Sequence, residues 1–377
     1  MEIELSPYGG LTEIAARIAD QLRLKSVHAV YEGCFARCVT MVDICGYCEF
    51  EIRLFRAKSN VLVEVQMSRG NPQPYRLVAD AVLDAAQGRI SERVSQNQPL
   101  PLSMKLPCSS EFQKFEVKTD VLEVLENASE LIQKDRVDAC VIGMESLAVL
   151  TRREKVGDKV SSLSSRAVLL GNIGSHVEKN MNDEVGIDDD EDVKSCSNIQ
   201  RPSSALSSSA DEDSDSDHDG NDDMGFMSII FSLVRDSKLH PEDGDNDSSL
   251  RNPSYQWYSN YLRHLAFSVL LHSLQVIAIL NPCLQMRVAR NFEQHGLFAS
   301  LVGDISTVRE SPHEAWYAVR ILTILVSASE ESRQLALHLG VLSAVEGAHL
   351  FGLSSHTLLA KDSSTLMNIL RMEPLNQ

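Results

Sequence analysis

The sequence predicts a mostly α-helical fold of the α-solenoid type, preceded by a small α+β domain and interrupted by a disordered acidic insertion. Three observations lead to this prediction. Similar apolar phrases recur every 45 residues in the last third of the chain, runs near the N-terminus alternate like strands, and one serine-rich stretch holds most of the negative charge. With 43% apolar residues, the 377-residue chain can bury sizeable cores.

Residues 1–88 are predicted to form an α+β domain of a helix, antiparallel strands and a second helix. The first helix is marked by apolar residues at helical spacing: Leu11, Ile14, Ile18 and Leu22. Two strands are marked by apolar residues at every second position: Phe50, Ile52 and Leu54, then Val61, Val63 and Val65. The run 35–42 is a third candidate strand, and a helix over 75–87 stops at Gly88.

The rest of the chain divides by composition. Residues 89–116 are a polar linker, and residues 117–180 carry the apolar stripes of a first part of the helical array, in which Gly143 divides one stripe into two helices. Residues 181–223 contain 15 acidic and 2 basic residues and are predicted to be disordered, because so few apolar residues cannot offset the entropy of ordering. The array resumes over 224–377, and its first apolar run, 224–234, is expected to dock back onto it.

The strongest pattern is the repeated phrase. The runs that carry it are SLQVIAIL, AVRILTIL and STLMNIL, which close on Leu280, Leu325 and Leu370. Turns containing Gly296 and Gly340 precede the last two runs. A period of about 40 to 47 residues is typical of HEAT and armadillo arrays, and the order of turn, glycine, apolar pair and long helix resembles the armadillo family.

The armadillo resemblance implies that stacked helices bind protein partners along one face. A regular asparagine ladder, which peptide-binding armadillo grooves use, is missing. Asn368 fits such a ladder, whereas Ala278 and Thr323 stand at the equivalent positions. An unrelated helical bundle is the alternative interpretation of the same leucine-rich runs.

The N-terminal region shows a second, looser resemblance. Its features are the phrase Phe50-Glu51-Ile52, the strand 61–65, the turn Ser68-Arg69-Gly70 and Tyr75. Within residues 11–88 they resemble the kinase-associated C-terminal domain found at the end of some Ser/Thr protein kinases. The resemblance implies binding of anionic phospholipid, and the candidate anionic-ligand patch consists of Arg53, Arg56, Lys58, Arg69 and Arg76. A solvated strand face explains the same charges without a ligand.

No catalytic, cofactor-binding or metal-binding residue is assigned from the sequence, and no cofactor is expected, because no nucleotide loop, nucleophile elbow or zinc-protease motif is present. One cysteine group is a candidate zinc site: Cys34, Cys38, Cys45 and Cys48. Only its last two members have the spacing of a thiolate pair, so free thiols are the preferred interpretation.

The predicted function is a non-enzymatic scaffold or adaptor. The alternatives are a membrane-recruited regulator that binds anionic lipid and an enzyme of unrecognised type.

Charge and composition limit the partners. The net charge of -18 argues against nucleic-acid binding, which needs a basic face. The absence of a signal peptide, together with eight cysteines, predicts a cytoplasmic location, with the nucleus as the alternative. No transmembrane segment is expected, since the most apolar run, 266–280, is interpreted as a short buried helix.

Ser208, Ser209 and Ser214 precede acidic residues by three positions and are candidate phosphorylation sites, although a solubilising spacer also explains this segment.

Overall fold

The computed structural model describes residues 2–4, 10–33, 35–42, 46–57, 60–89, 117–134, 136–171, 226–235 and 253–372. These residues form thirteen helices and one five-stranded antiparallel sheet, which confirms the mostly helical prediction. The acidic insertion 181–223, with Ser208, Ser209 and Ser214, lies outside the described residues. Of the linker 89–116, only Arg89 is described.

The N-terminal elements build the sheet and two helices that cover it. They are β1 (Glu2–Glu4), α1 (Leu11–Leu24), β2 (His28–Glu32), β3 (Phe35–Val42), β4 (Gly46–Ala57), β5 (Asn60–Gly70) and α2 (Pro72–Ala86). The strand order is β1-β5-β4-β3-β2. β1 and β2 were not predicted from the sequence, because strands of three and five residues are too short to show a clear alternation. α2 begins three residues before the predicted start, since Asn71 caps it by accepting a hydrogen bond from Gln73 N at 2.9 Å.

One face of the sheet and the two helices enclose a core of their own. The alternating apolar residues of the predicted strands face this core, and α1 and α2 contribute one stripe each. Its best-buried members are Ile14, Ile18, Leu22, Phe50, Ile52, Val61, Val63, Val78 and Val82. The alternation in the sequence therefore reports which sheet face the helices cover.

The helical part consists of eleven described helices. They are α3 (Val117–Gln133), α4 (Val137–Leu150), α5 (Arg153–Leu170), α6 (Phe226–Arg235), α7 (Pro253–Leu280), α8 (Pro282–Gln294), α9 (Leu297–Ser306), α10 (Pro312–Ala328), α11 (Glu330–His338), α12 (Val341–Ser355) and α13 (Thr357–Arg371). They share one core. α6 belongs to it through Phe226, Ile230, Phe231 and Val234, which confirms that this segment docks back.

The two glycine turns have the same local geometry. Gly296 and Gly340 are the residues immediately before α9 and α12, and their φ values are +68° and +76°. A side chain is strained in this left-handed region, whereas glycine is not. The paired turns seen in the sequence are therefore equivalent bends in the chain.

The prediction that Gly143 divides a helix is wrong. α4 runs unbroken through Gly143, where an added Cβ would lie 2.7 Å from Ile132 Cγ1 and 2.9 Å from Ala128 O. Glycine is present there because α3 approaches α4 closely. The backbone leaves helical geometry in α5 instead, at Gly157, whose φ is +79°.

α7 is longer than the run 266–280 that was interpreted as too short for a membrane span. Among the described residues it is the single helix long and apolar enough to cross a membrane, over Trp257–Leu280. Over an apolar stretch of 18 residues within it, 72% of the residues are buried inside the protein. The apolar character of α7 is thus accounted for by its contacts with the neighbouring helices.

Candidate functional site

The three repeated phrases occupy neighbouring helices. α10 packs against both α7 and α13, and the buried positions of the phrases are 45 residues apart. Each phrase has a pair of adjacent side chains in the core: Val276 and Ile277, Ile321 and Leu322, Leu366 and Met367. The positions before and after each pair, 275 and 278 in α7 and their equivalents, are partly or fully exposed. The 45-residue spacing of the phrases therefore aligns two rows of outward-facing side chains, one at 275, 320 and 365 and one at 278, 323 and 368.

A groove with a volume of about 490 Å³ lies over these outward positions. It extends from the start of α5 across α7 and α10 to α13. Its lining residues are Thr151, Arg153, Glu154, His272, Gln275, Val276, Ala278, Ile279, Arg320, Thr323, Ile324, Asp362 and Thr365. Five of the six repeat positions that flank the buried pairs thus line one groove, and Asn368 is the exception.

A charged pair bridges α10 and α13 within the groove. Asp362 Oδ2 accepts a hydrogen bond from Trp316 Nε1 at 2.7 Å and lies 4.0 Å from Arg320 Nε. The Arg320 guanidinium lies 4.9 Å from the centroid of the Trp316 ring. The indole and the carboxylate together restrict Arg320, whose side chain is 24% exposed. Arginine has five N–H donors, so this arrangement presents a positioned donor set to the groove.

His272 on α7 provides a neutral group in the same groove. The pKa of His272 is lowered to about 4, mainly by burial; the nearby Arg152 and Arg320 contribute to this shift, and Glu154 opposes it. The Ser268 hydroxyl lies 3.4 Å from His272 Nδ1. At pH 7 the ring therefore contributes hydrogen-bonding nitrogens without a positive charge.

The α5 end of the groove contains side chains of both signs. Arg153 is held by Asp158, with Nε 2.5 Å from Oδ1 and Nη2 3.0 Å from Oδ2. Glu154 is the next residue, and Thr151 before them bonds back to Leu147 O at 2.8 Å. Together with Arg320 and Asp362, these residues give the groove mixed charge along its length.

The structure distributes the predicted anionic-ligand patch over both faces of the sheet. Arg53 lies on the face away from α1 and α2, where its Nη2 is 2.6 Å from Glu51 Oε2 and its Nη1 is 3.8 Å from Glu64 Oε2. Arg69 pairs across the strands with Glu49 on that same face. By the alternation along β4, Arg56 is on the opposite face, the one that the helices cover, and Arg76 is on α2. Lys58 lies outside the described residues, and lipid binding stays a prediction.

Two of the four cysteines considered for zinc, Cys38 and Cys48, lie on the neighbouring strands β3 and β4. Cys38 and Cys48 are both buried in the core beneath α1 and α2. Burial raises the pKa of Cys38 to about 12 and that of Cys48 to about 11, with Glu49 adding to the second shift. These thiols therefore disfavour the thiolate form that binds metal. Cys34 and Cys45 are not described, and within the described residues no group of three His, Cys, Asp or Glu side chains could hold a metal ion.

Comparisons with protein-family models, curated proteins and solved structures find no match to this chain. The two family resemblances therefore stay predictions, and any function has to be argued from the geometry of the groove.

Sequence reasoning anticipated part of this groove. The 45-residue offset between the phrases singled out Ala278 and Thr323, which line the groove, and Asn368, which does not; the same offset relates Gln275, Arg320 and Thr365. Nothing in the phrases indicated that Asp362 would pair with Arg320 and Trp316, because Asp362 lies on α13 and the other two on α10. The contribution of α5 was also missed, since no repeat position precedes it at the same spacing.

Proposed function

We propose that this protein is a non-enzymatic scaffold, an armadillo-like array with an α+β domain in front, that binds an extended segment of a partner protein in the α5–α7–α10–α13 groove. The observation that carries the proposal is the row of equivalent positions along the groove. Gln275, Arg320 and Thr365 stand at 45-residue intervals, as do Ala278 and Thr323. A repeating polar row suits a ligand that itself repeats, such as a peptide backbone.

The chemistry of the groove also favours recognition of a peptide. The Gln275 amide can both donate to and accept from a peptide backbone. The Thr323 and Thr365 hydroxyls donate to Val319 O and Lys361 O of their own helices, so they offer acceptors to backbone N–H groups. Ile279, which is 61% exposed, offers an apolar contact at the rim. Two of the lining cations already have carboxylate partners, Arg320 in Asp362 and Arg153 in Asp158. Because these cations are fixed in place and already paired with carboxylates, the groove is better suited to selecting a partner than to transferring protons.

A groove-filling variant tests this proposal. Thr323→Arg places a long side chain in the middle of the groove without changing the buried pair beside it, and Ser343→Arg on the exposed side of α12 is the matched control. A photo-crosslinking amino acid is placed at Ile279 in the full-length chain and, for comparison, at Leu350 of α12, which is 68% exposed. Cross-linked segments from cell lysate are identified by mass spectrometry.

We expect position 279 to capture a defined segment of a partner and position 350 not to capture it. Thr323→Arg should reduce this capture by about ten-fold or more, since a steric clash in a binding groove readily costs 1.4 kcal/mol. Ser343→Arg should leave it unchanged. Capture that is equally strong with Thr323→Arg, or that occurs from position 350 alone, would contradict the proposal.

A further inference from the structure

One end of the sheet packs against the helical part of the chain. Met41 of β3 contributes to the helical core. The Tyr47 ring lies 5.3 Å from the His264 ring and 6.2 Å from the Tyr261 ring of α7, between centroids. At a second point, Thr357 Oγ1 donates to Arg23 O and Leu358 N donates to Ser26 Oγ, both at 2.9 Å. These contacts join residues more than 200 positions apart.

Two histidines connect these points through a chain of hydrogen bonds. His356 Nδ1 accepts from Leu359 N at 3.2 Å, at the start of α13. His356 Nε2 lies 3.2 Å from His313 Nδ1, and His313 Nε2 lies 3.1 Å from Val39 O of β3. We refer to Leu359, His356, His313 and Val39 as the histidine relay.

The donors and acceptors of the relay determine where the protons are. Because Leu359 N–H is a donor, His356 Nδ1 must accept, and a neutral His356 therefore carries its proton on Nε2. That proton is donated to His313 Nδ1, so the proton of His313 is on Nε2 and is donated to Val39 O. Every ring nitrogen has one role, and the relay is complete only while both rings are neutral.

The surroundings of the relay disfavour a second proton on either ring. Burial is the main reason that the pKa of His313 is lowered to about 4 and that of His356 to about 2. His313 and then His28 of β2 add to the shift of His356, and His28 adds to that of His313, whereas the hydrogen bond to Val39 O opposes the shift of His313. Burial also lowers the pKa of His264 to about 3, with His313 and Arg263 adding to the shift. Histidines of β2 and α7 thus lie close enough to the relay for their charges and those of the relay to oppose one another.

The nearby acidic groups are already engaged. Glu314 of α10 and Asp304 of α9 both bind Arg263. Glu49 accepts a hydrogen bond from the Tyr47 hydroxyl. Arg23 of α1 is 3.7 Å from Asp20 and meets α13 through its backbone oxygen. Protonation of His313 or His356 would therefore break a hydrogen bond of the relay. It would also place a positive charge close to other cationic or titratable groups.

We propose that the histidine relay is a pH-sensitive clasp, which holds the sheet on the helical part while its rings are neutral and releases the sheet as the medium acidifies. This device is independent of the proposed peptide groove. Release separates His313 from Val39 and exposes its ring to water. It also frees His264 from Tyr47 and exposes the surfaces of α7 and α10 that the sheet covers.

The direction and size of the effect follow from proton binding. A histidine exposed by release returns to a pKa of about 6.5, whereas the clasped form keeps it lower. The clasp is therefore fully effective above about pH 6.5 and weakens as the pH falls below that value. At pH 5.5 each histidine freed by release favours the open form by about ten-fold, so two favour it by about a hundred-fold.

Hydrogen–deuterium exchange on the full-length chain tests the clasp. Exchange is measured at pH 7.5 and pH 5.5 and corrected for the intrinsic pH dependence of amide exchange. Peptides covering 28–42 and 356–360 report on the interface, and peptides covering 121–148 report on the distant α3–α4 pair. His313→Gln keeps an N–H donor that does not titrate, and His338→Gln, at an exposed position on α11, is its control.

We expect acid to reduce protection at the interface by at least ten-fold while the α3–α4 pair stays protected. His313→Gln should reduce the acid sensitivity by about ten-fold, and His338→Gln should behave like the wild type. Should His313→Gln fail to fold, His356→Gln and the wild-type profile still decide the matter. The proposal is overturned if the wild-type interface stays protected at pH 5.5, if both regions lose protection together, or if every glutamine variant responds to acid as the wild type does.

Discussion

Replacing Arg263 by methionine is expected to lower the free energy of unfolding by about 3–5 kcal/mol. Arg263 is a buried cation on α7 that bonds to two buried carboxylates, Asp304 at 2.6 Å and Glu314. Its guanidinium also donates to Val234 O, at the end of α6, at 2.9 and 3.2 Å. Burial raises the pKa of both Asp304 and Glu314, and Arg263 opposes that shift. Without the arginine, two buried carboxylates and a carbonyl lose their partner.

The size of this effect depends on the unpaired charges that the variant leaves behind. The triple variant Arg263→Met, Asp304→Asn, Glu314→Gln removes the carboxylates as well and should recover much of the lost stability. Arg290→Met is the surface control, because Arg290 is 67% exposed and its pair with Glu331 spans 3.7 Å; it should change stability by less than about 1 kcal/mol. Urea unfolding at pH 7 measures all three. A single variant as stable as wild type, or a triple variant less stable than the single one, would refute this account.

A single methyl group at Gly352 is expected to destabilise the protein by about 1–3 kcal/mol. Gly352 on α12 lies against the first turn of α13, where an added Cβ would come 2.6 Å from Ala360 N and 2.9 Å from Ala360 Cα. Both are backbone atoms, so the two helices would have to move apart. This movement would also disturb the bond from His356 N to Gly352 O, which is 2.9 Å long.

Gly347 provides a control within the same helix. An added Cβ there meets nothing within 4 Å, so Gly347→Ala should stabilise the protein by up to about 1 kcal/mol through helix propensity alone. Thermal unfolding of the two alanine variants should therefore shift in opposite directions. If Gly352→Ala is as stable as Gly347→Ala, the close approach of α12 and α13 does not limit stability.

Periodicity predicted the elements whose buried faces repeat along the chain. The i, i+4 spacing of Ile14, Ile18 and Leu22 identified α1, and the alternation in 50–54 and 61–65 identified β4 and β5. Such patterns are visible in a sequence because one face of a regular element meets one core. β1 and β2 were missed because their lengths give too few alternations.

Gly143 shows where local rules gave the wrong answer. Glycine is a helix breaker by propensity, which costs about 1 kcal/mol relative to alanine. In this protein it lies inside α4, since the neighbouring Ala128 and Ile132 of α3 leave no room for a side chain. Close packing between helices outweighs the propensity, and a single sequence does not reveal which neighbour a helix will have.

By itself the sequence determined the mostly helical fold, the strand and helix faces of the N-terminal region, and the 45-residue rows that later line the groove. The tertiary structure alone decided that Asp362 of α13 holds Trp316 and Arg320 of α10, and that α5 completes the groove. It also decided that His313 and His356, 43 residues apart, form a relay to Val39. The physical reason is that periodicity records which face of an element is buried, whereas pairing between side chains depends on which elements become neighbours in space.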